Sequence, residues 1–321
     1  MMVQLLLSHV FEKRKCVKEI VMLVMHQMLI MGICMAFGYY CYVKKVFGDQ
    51  SIREFASLTM KYTIPLSISL SFKEQFQFTR SIEWGQVFAL TSLGFGLIIL
   101  LITLVIPSRS RHYQQKRMCA LIPNNAIFGL VIAQSLFGGE GVFLMSAHIV
   151  VSNILLWTYG IGILSEKTSL KSILLNPAVV GVLAGIVLVL LPFEIPAVIY
   201  TPLENLTALN SPVGLMLAGG YIARIKLSSC FRSGAYYLIA FYKLILGPTL
   251  VVPLLLLFRV DRTIALVVLV GMLAPTGTAA ATFTEMVGMD NSFSSGSVAF
   301  NELACVLTIP VMMTLYMNIF R

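Results

Sequence analysis

Apolar residues run along this chain in blocks of about twenty, each closed by a short cluster of charged or turn-forming residues. A hydrocarbon core about 30 Å thick needs roughly 20 apolar residues per helix. On that yardstick the pattern predicts ten spans, near residues 20–42, 53–72, 83–106, 115–136, 141–164, 175–191, 202–223, 235–257, 264–286 and 293–319. Two of them break in the middle at a proline followed by small polar residues. Met118 to Phe137 is interrupted by Pro123-Asn124-Asn125, and Ile264 to Phe283 by Pro275-Thr276-Gly277. A proline inside a helix removes one backbone hydrogen bond and clashes with the preceding turn. In lipid the freed groups cannot turn to water, so a break survives only where protein or a wet cavity satisfies it. Two breaks at corresponding places in two halves of a chain point to the binding site of a secondary carrier.

Composition agrees with that class. Of the 321 residues 58% are hydrophobic and 12% charged, whereas soluble domains average about 25% charged residues. The net charge of +9 does not form a nucleic-acid patch, because the basic residues sit in short loops without interleaved aromatics. Twelve of them fall in the odd-numbered loops, among them Lys44, Lys45, Arg53, Arg109, Arg111 and Arg224. The even-numbered loops hold Lys73, Arg80, Arg259 and Arg262. By the positive-inside rule the odd loops are cytoplasmic and both termini lie outside. Lys13, Arg14, Lys15 and Lys18 in the tail 1–19 contradict this; a natural start at Met22 or Met25 would delete all four. The six cysteines show no CxxC spacing and read as small buried thiols. No metal-ligand cluster, phosphate loop or Ser/His/Asp constellation stands out, so neither an enzyme nor a metal site is expected.

Spacing alone also suggests an inverted repeat. Pro65, Pro123 and Asn153 lie 58 and then 30 residues apart in the first half. Pro212, Pro275 and Asn301 lie 63 and then 26 apart in the second. Five spans per half is an odd number, so the halves insert with opposite topology. The expected fold is an all-α integral membrane protein of ten transmembrane helices, built as two inverted five-helix repeats over 20–165 and 166–321. The boundary falls near Ser165 to Ser172.

The stretch Pro123-Asn124-Asn125-Ala-Ile-Phe-Gly129, with Leu136-Phe-Gly-Gly-Glu-Gly141 and Asn153-Ile-Leu-Leu-Trp157, resembles the auxin efflux carrier family of plants and bacteria, within the broader bile-acid, arsenite and riboflavin transporter superfamily. So do Leu175-Asn176-Pro177, Lys243 five positions before Pro248, Ala274-Pro275-Thr-Gly277 with Glu285, and Leu307-Thr-Ile-Pro310. The resemblance covers about residues 25–320. It implies that the broken spans 4 and 9 cross at mid-membrane. It also implies a scaffold of spans 1, 2, 6 and 7, with spans 3–5 and 8–10 moving as a transport domain in an elevator-type cycle. The implied cargo is a small organic anion: auxin in plants, malate- or malonate-type carboxylates in bacteria. Family members tend to be homodimers in the cell membrane. The chain departs from the family pattern at Val131, where relatives have a second proline, and at Met286, where they often have Lys or Glu. It departs again at Asn301-Glu302, where bacterial relatives commonly have Ser-Thr.

Each candidate residue carries a plain reading beside the functional one. Asn124 and Asn125 follow the first break, where a half-helix N-terminus suits a carboxylate; the alternative is that they only repair the backbone opened by Pro123. Thr276, Gly277 and Thr278 mirror them, with Gly277 allowing close approach. Lys243 in span 8 is a candidate for meeting the substrate anion or replacing a coupling cation, against snorkelling to the interface. Lys61 in span 2 is expected to pair with a carboxylate. Glu302, with Asn301 and Asn153, is the candidate for coupling a proton or sodium ion, since a carboxylate in apolar surroundings can exchange protons near neutrality. The alternative is a structural ion pair with Lys243 or Lys61. Gly181 and Gly185 have the small-xxx-small spacing of helix packing. The rival functions are a bile-acid/sodium symporter-type carrier and a receptor built on a carrier fold.

Overall fold

The computed structural model describes residues 22, 25–76, 78–164, 177–190, 195–224 and 231–320. The basic tail 1–19 and the repeat boundary near 165–172 lie outside the described residues. Among those residues the protein is all-helical. Helix α1 covers 25–43. Helix α2 (Asp49–Leu58) continues through a π-helical turn, Thr59–Thr63, into α3 (Ile64–Gln75). Then follow α4 (Phe78–Val105), α5 (Tyr113–Leu121), a π turn Asn125–Gly129, α6 (Leu130–Leu155), a π turn Leu156–Gly160 and α7 (Ile161–Leu164). The second half holds α8 (Pro177–Leu190), α9 (Ala197–Thr207), α10 (Asn210–Ala223) and α11 (Gly234–Phe241), then a π turn Tyr242–Leu246. It ends with α12 (Gly247–Leu257), α13 (Arg262–Leu273), α14 (Ala279–Met286) and α15 (Ser292–Ile319).

Five helical runs among the described residues are long and apolar enough to cross a membrane: 80–105, 125–164, 197–223, 234–257 and 292–319. Their outer faces carry large bare side chains such as Leu104, Val198, Leu257 and Leu307, each at least 75% exposed. A surface of that kind is stable in lipid and not in water. The run 125–164, at 40 residues, would be roughly 60 Å long if straight, about twice the hydrocarbon core. It is not straight. Gly138 takes φ 60° and ψ −143°, outside the helical region, and the chain doubles back so that Gly141 sits against Ala133 and Phe137. The gap predicted between residues 136 and 141 is this turn.

Prolines reshape the helices locally. Pro65 and Pro248 each follow a π turn in which the amide of Ile64 reaches Thr59 O and that of Gly247 reaches Tyr242 O, a wider closure than an α-turn. Each wide turn carries a lysine, Lys61 in one and Lys243 in the other, and such turns concentrate at functional positions. Three predicted starts shift. The helix predicted from residue 83 begins at Phe78. The helix predicted from residue 53 begins at Asp49, and the one predicted from 202 begins at Ala197, with a turn at Ala208–Leu209 before Pro212.

Packing orders the bundle around α13. Every residue from Ile264 to Leu273 is buried, as expected for a helix that is apolar all round. Helix α8 lies against α3, where a side chain at Gly181 would meet Pro65 O at 2.7 Å and one at Gly185 would meet Phe72 Cβ at 2.6 Å. That close approach, sealed by the Ser69 hydroxyl donating to Gly181 O at 2.8 Å, is the packing role predicted for the glycine pair. Among the described residues two ion pairs tie separate helices together. Arg224 meets Asp49 at 2.7 Å and Arg80 meets Glu140 at 3.1 Å. The Tyr42 hydroxyl, which donates to Asp49, and the Arg224 guanidinium hold that carboxyl below the usual carboxylate range.

Candidate functional site

The two breaks meet. Chain leaves α5 in extended conformation at Ile122 and leaves α13 extended at Ala274. The segments lie antiparallel, with Pro123 opposite Thr276 in an isolated β-bridge. The Asn124 amide donates to Pro275 O at 2.7 Å, and the Gly277 amide donates to Ile122 O at 2.9 Å. The Thr276 hydroxyl donates to Cys119 O at 2.8 Å. Each interrupted helix therefore satisfies the backbone groups that the other's proline set free. A side chain at Gly277 would stand 2.9 Å from Pro123 O, so this approach requires glycine. The asparagine side chains are not needed for backbone repair. Equally, the Asn124 and Gly277 amides are not free to hold a ligand; the open donors are those of the first turns beyond them.

The two asparagines turn to different partners. Asn124 Nδ2 donates to Glu302 Oε1 of α15 at 3.3 Å. Asn125 Nδ2 lies 2.8 Å from His148 Nδ1 and 2.7 Å from Ser152 Oγ, both on α6. Asn301 turns back along its own helix, donating to Ser297 O at 2.9 Å. Asn153 likewise donates to Ile149 O at 2.8 Å.

The predicted cations separate. Lys243 is only 2% exposed, so it does not snorkel; its ammonium donates to Met272 O at 3.4 Å. It is not among the residues lining the cavity described next. Lys61 is exposed and does line it. Among the described residues neither lysine forms an ion pair, so the pairings considered for Glu302 with Lys243 or Lys61, and for Lys61 with a carboxylate, are not made.

Beside the crossing lies a cavity of about 290 Å³. Its polar lining comes from Asn124, Asn125, Ser152, Asn153, Thr278 and Lys61; its walls include Met60, Ile64, Trp157 and Phe283. Trp157 and Phe283 meet edge to face, with ring centroids 5.0 Å apart. The first turns of two helices open onto it, through Asn125 and Ala126 on one side and Thr278 and Ala279 on the other. Helix N-termini carry unpaired amides and partial positive charge. Among the described residues no acidic side chain lines the cavity. Thr278 also borders a second, polar cavity of about 800 Å³ holding Arg53, Arg224 and Glu285. Among the described residues no three His, Cys, Asp or Glu side chains are grouped to hold a metal ion.

Sequence reasoning passed over His148, Ser152 and the Trp157–Phe283 wall. Two signals were present. His148 is the histidine well inside a predicted span, and Trp157 stands four residues after Asn153, on the same helical face.

Helices interrupted at the point where they touch, with a ligand-sized cavity at that point and apolar faces outside, define a membrane transporter. The chain belongs to the membrane transport protein family, that of the auxin efflux carriers, whose profile matches residues 23–169 and 163–313. The resemblance read from Pro123-Asn124-Asn125 and its companion motifs is thus borne out. A search of curated proteins finds no match to the chain.

Proposed function

We propose that the protein is a secondary-active carrier of a small organic carboxylate, working by alternating access with the crossing as its substrate site. The observation that carries this reading is the electrostatics of the 290 Å³ cavity: among the described residues its lining holds one cation, Lys61, two helix N-termini and no acid. An anion is the ligand such a lining favours. The largely apolar walls suit a carboxylate with an apolar or aromatic body better than a dicarboxylate. Cavities for drug-sized ligands run about 300–1,000 Å³, so this one also argues against the bulky amphipathic anion of a bile-acid-type symporter.

In this reading the ten spans form two inverted five-helix repeats. Spans 1, 2, 6 and 7 form the scaffold of a homodimer, and the others move in an elevator-type cycle in the cell membrane. Both termini lie outside. The crossing cavity and the polar one beside Thr278 are bordered by helix ends next to the basic loops, so the state described faces the cytoplasm.

Asn124 presents the polar side chain at the centre of the site. A thermal-shift screen of mono- and dicarboxylates on the purified protein should show monocarboxylates raising the apparent stability. Asn124→Ala should weaken that binding about tenfold to a hundredfold per folded molecule, the loss of one charge-assisted hydrogen bond. A screen in which no carboxylate stabilises the protein, or a variant with unchanged affinity per folded molecule, overturns the assignment. Binding without counterflow in proteoliposomes would make the protein a receptor.

A further inference from the structure

Glu302 is fully buried, and it lies behind Asn124 as seen from the cavity. Asn124 lines the cavity and Glu302 does not. One carboxyl oxygen, Oε1, accepts from Asn124 Nδ2 at 3.3 Å; the other, Oε2, has no partner among the described residues. A buried charge without a counter-ion is costly. Six packed elements could answer it. Helix α15 packs against α5, α10, α11, α13, α14 and the Tyr242–Leu246 turn. Their titratable and charged groups nearest this region are Cys119 on α5, Tyr221 on α10, Tyr236 on α11, Glu285 on α14, and Lys243 with Tyr242 on the turn. Farther along are Tyr237 on α11, Arg262 at the remote start of α13, and Tyr113, Lys116 and Arg117 on α5. On α15 itself, the Cys305 thiol donates to Glu302 O at 3.1 Å. Among the described residues none of these forms an ion pair with Glu302, and the Lys243 ammonium is spent on Met272 O.

We propose that Glu302 carries a coupling proton and reports its charge state to the substrate through the Asn124 amide, giving symport of one proton with each carboxylate. The proposal rests on the reading of the crossing as a carboxylate site. With Glu302 ionised, Asn124 gives its N–H to the carboxylate, the contact seen at 3.3 Å, and has only its amide oxygen left for the cavity. A substrate carboxylate then meets an acceptor, with a second negative charge behind it. When Glu302 takes up a proton, its O–H donates to Asn124 Oδ1. The amide turns over, and the two N–H groups of Nδ2 become available to the substrate. No bond other than the O–H forms or breaks, and the proton returns to water when the anion leaves and Asn124 swings back. The pair Asn124–Glu302 is a two-position relay whose settings differ in which end of one amide faces the cavity.

Calorimetric titration of the purified full chain with phenylacetate and with malonate, in buffers of different ionisation enthalpy, counts the protons taken up with each anion. On the alkaline side of the Glu302 titration the wild type should take up close to one proton per anion, and its affinity should fall about tenfold per pH unit. Glu302→Gln, which offers Asn124 Oδ1 a permanent donor, should bind with no proton uptake and with an affinity independent of pH. Infrared difference spectra of the unliganded wild type should show a protonated-carboxyl band that titrates with pH and is absent from Glu302→Gln. Binding by the wild type without proton uptake on the alkaline side of that titration overturns the proposal whether or not the variant folds. So does equal uptake by wild type and variant, or a band that persists in Glu302→Gln. If neither anion binds the wild type at any pH, the carboxylate site itself is wrong, and the infrared band then tells whether Glu302 still titrates.

Discussion

The two breaks share a backbone arrangement and divide the chemistry between them. At the first, Asn124 and Asn125 send amide side chains 178 and 23 residues along the chain, to Glu302 and to His148. At the second, the Thr276 hydroxyl turns onto the Cys119 carbonyl, and Gly277 contributes by lacking a side chain. Both exchange one amide–carbonyl bond with the other, Asn124 with Pro275 and Gly277 with Ile122. Matched proline breaks therefore do not imply matched roles. One break supplies the polar side chains, and the other supplies a backbone that can be approached closely.

That difference is exposed to substitution. Gly277→Val should have the largest effect. A branched side chain would press on Pro123 O, which stands 2.9 Å from the position of a Cβ, and overpacking of this kind costs about 1–3 kcal/mol. Parting the segments also breaks both exchanged hydrogen bonds, so transport in proteoliposomes should be lost and the melting temperature lowered. A Gly277→Val protein that folds and transports normally would mean that the crossing tolerates separation. Asn125→Ala should come next. It removes the donor to His148 Nδ1 and Ser152 Oγ, leaving buried polar atoms unpaired at about 1–3 kcal/mol. Its melting temperature should fall while phenylacetate affinity per folded molecule changes little. Asn124→Ala also strands a buried oxygen, Glu302 Oε1, but should in addition lower phenylacetate affinity per folded molecule, and identical behaviour of the two would erase the distinction drawn between them. Lys61→Gln should be mildest. Its charge sits at an open part of the cavity and is screened by salt, so KM should rise only a few-fold at low ionic strength and match wild type at high salt. A loss that persists at high salt would place Lys61 in direct contact with the substrate.

The sequence by itself determined where the chain must leave regular helix. Pro123 and Pro275 forbid continued hydrogen bonding wherever they stand, and Gly138 marks the turn that an over-long apolar run requires. Gly181 and Gly185 mark a close helix contact because they present no side chain. These are local consequences of dihedral freedom, missing donors and apolar length, and they are written into a few consecutive residues. The family could be read for the same reason, from the order of such marks along the chain. Only the tertiary structure decided that Asn124 faces Glu302 while its neighbour faces His148, and that the two prolines repair each other's backbone. It alone buried Lys243 on a carbonyl and left Lys61 in the cavity, although each occupies a π turn ahead of a proline. Which partner a side chain finds depends on how α6, α13 and α15 pack together, and the polar residues at those contacts show the same types and spacing whether they meet each other, a backbone carbonyl or a substrate.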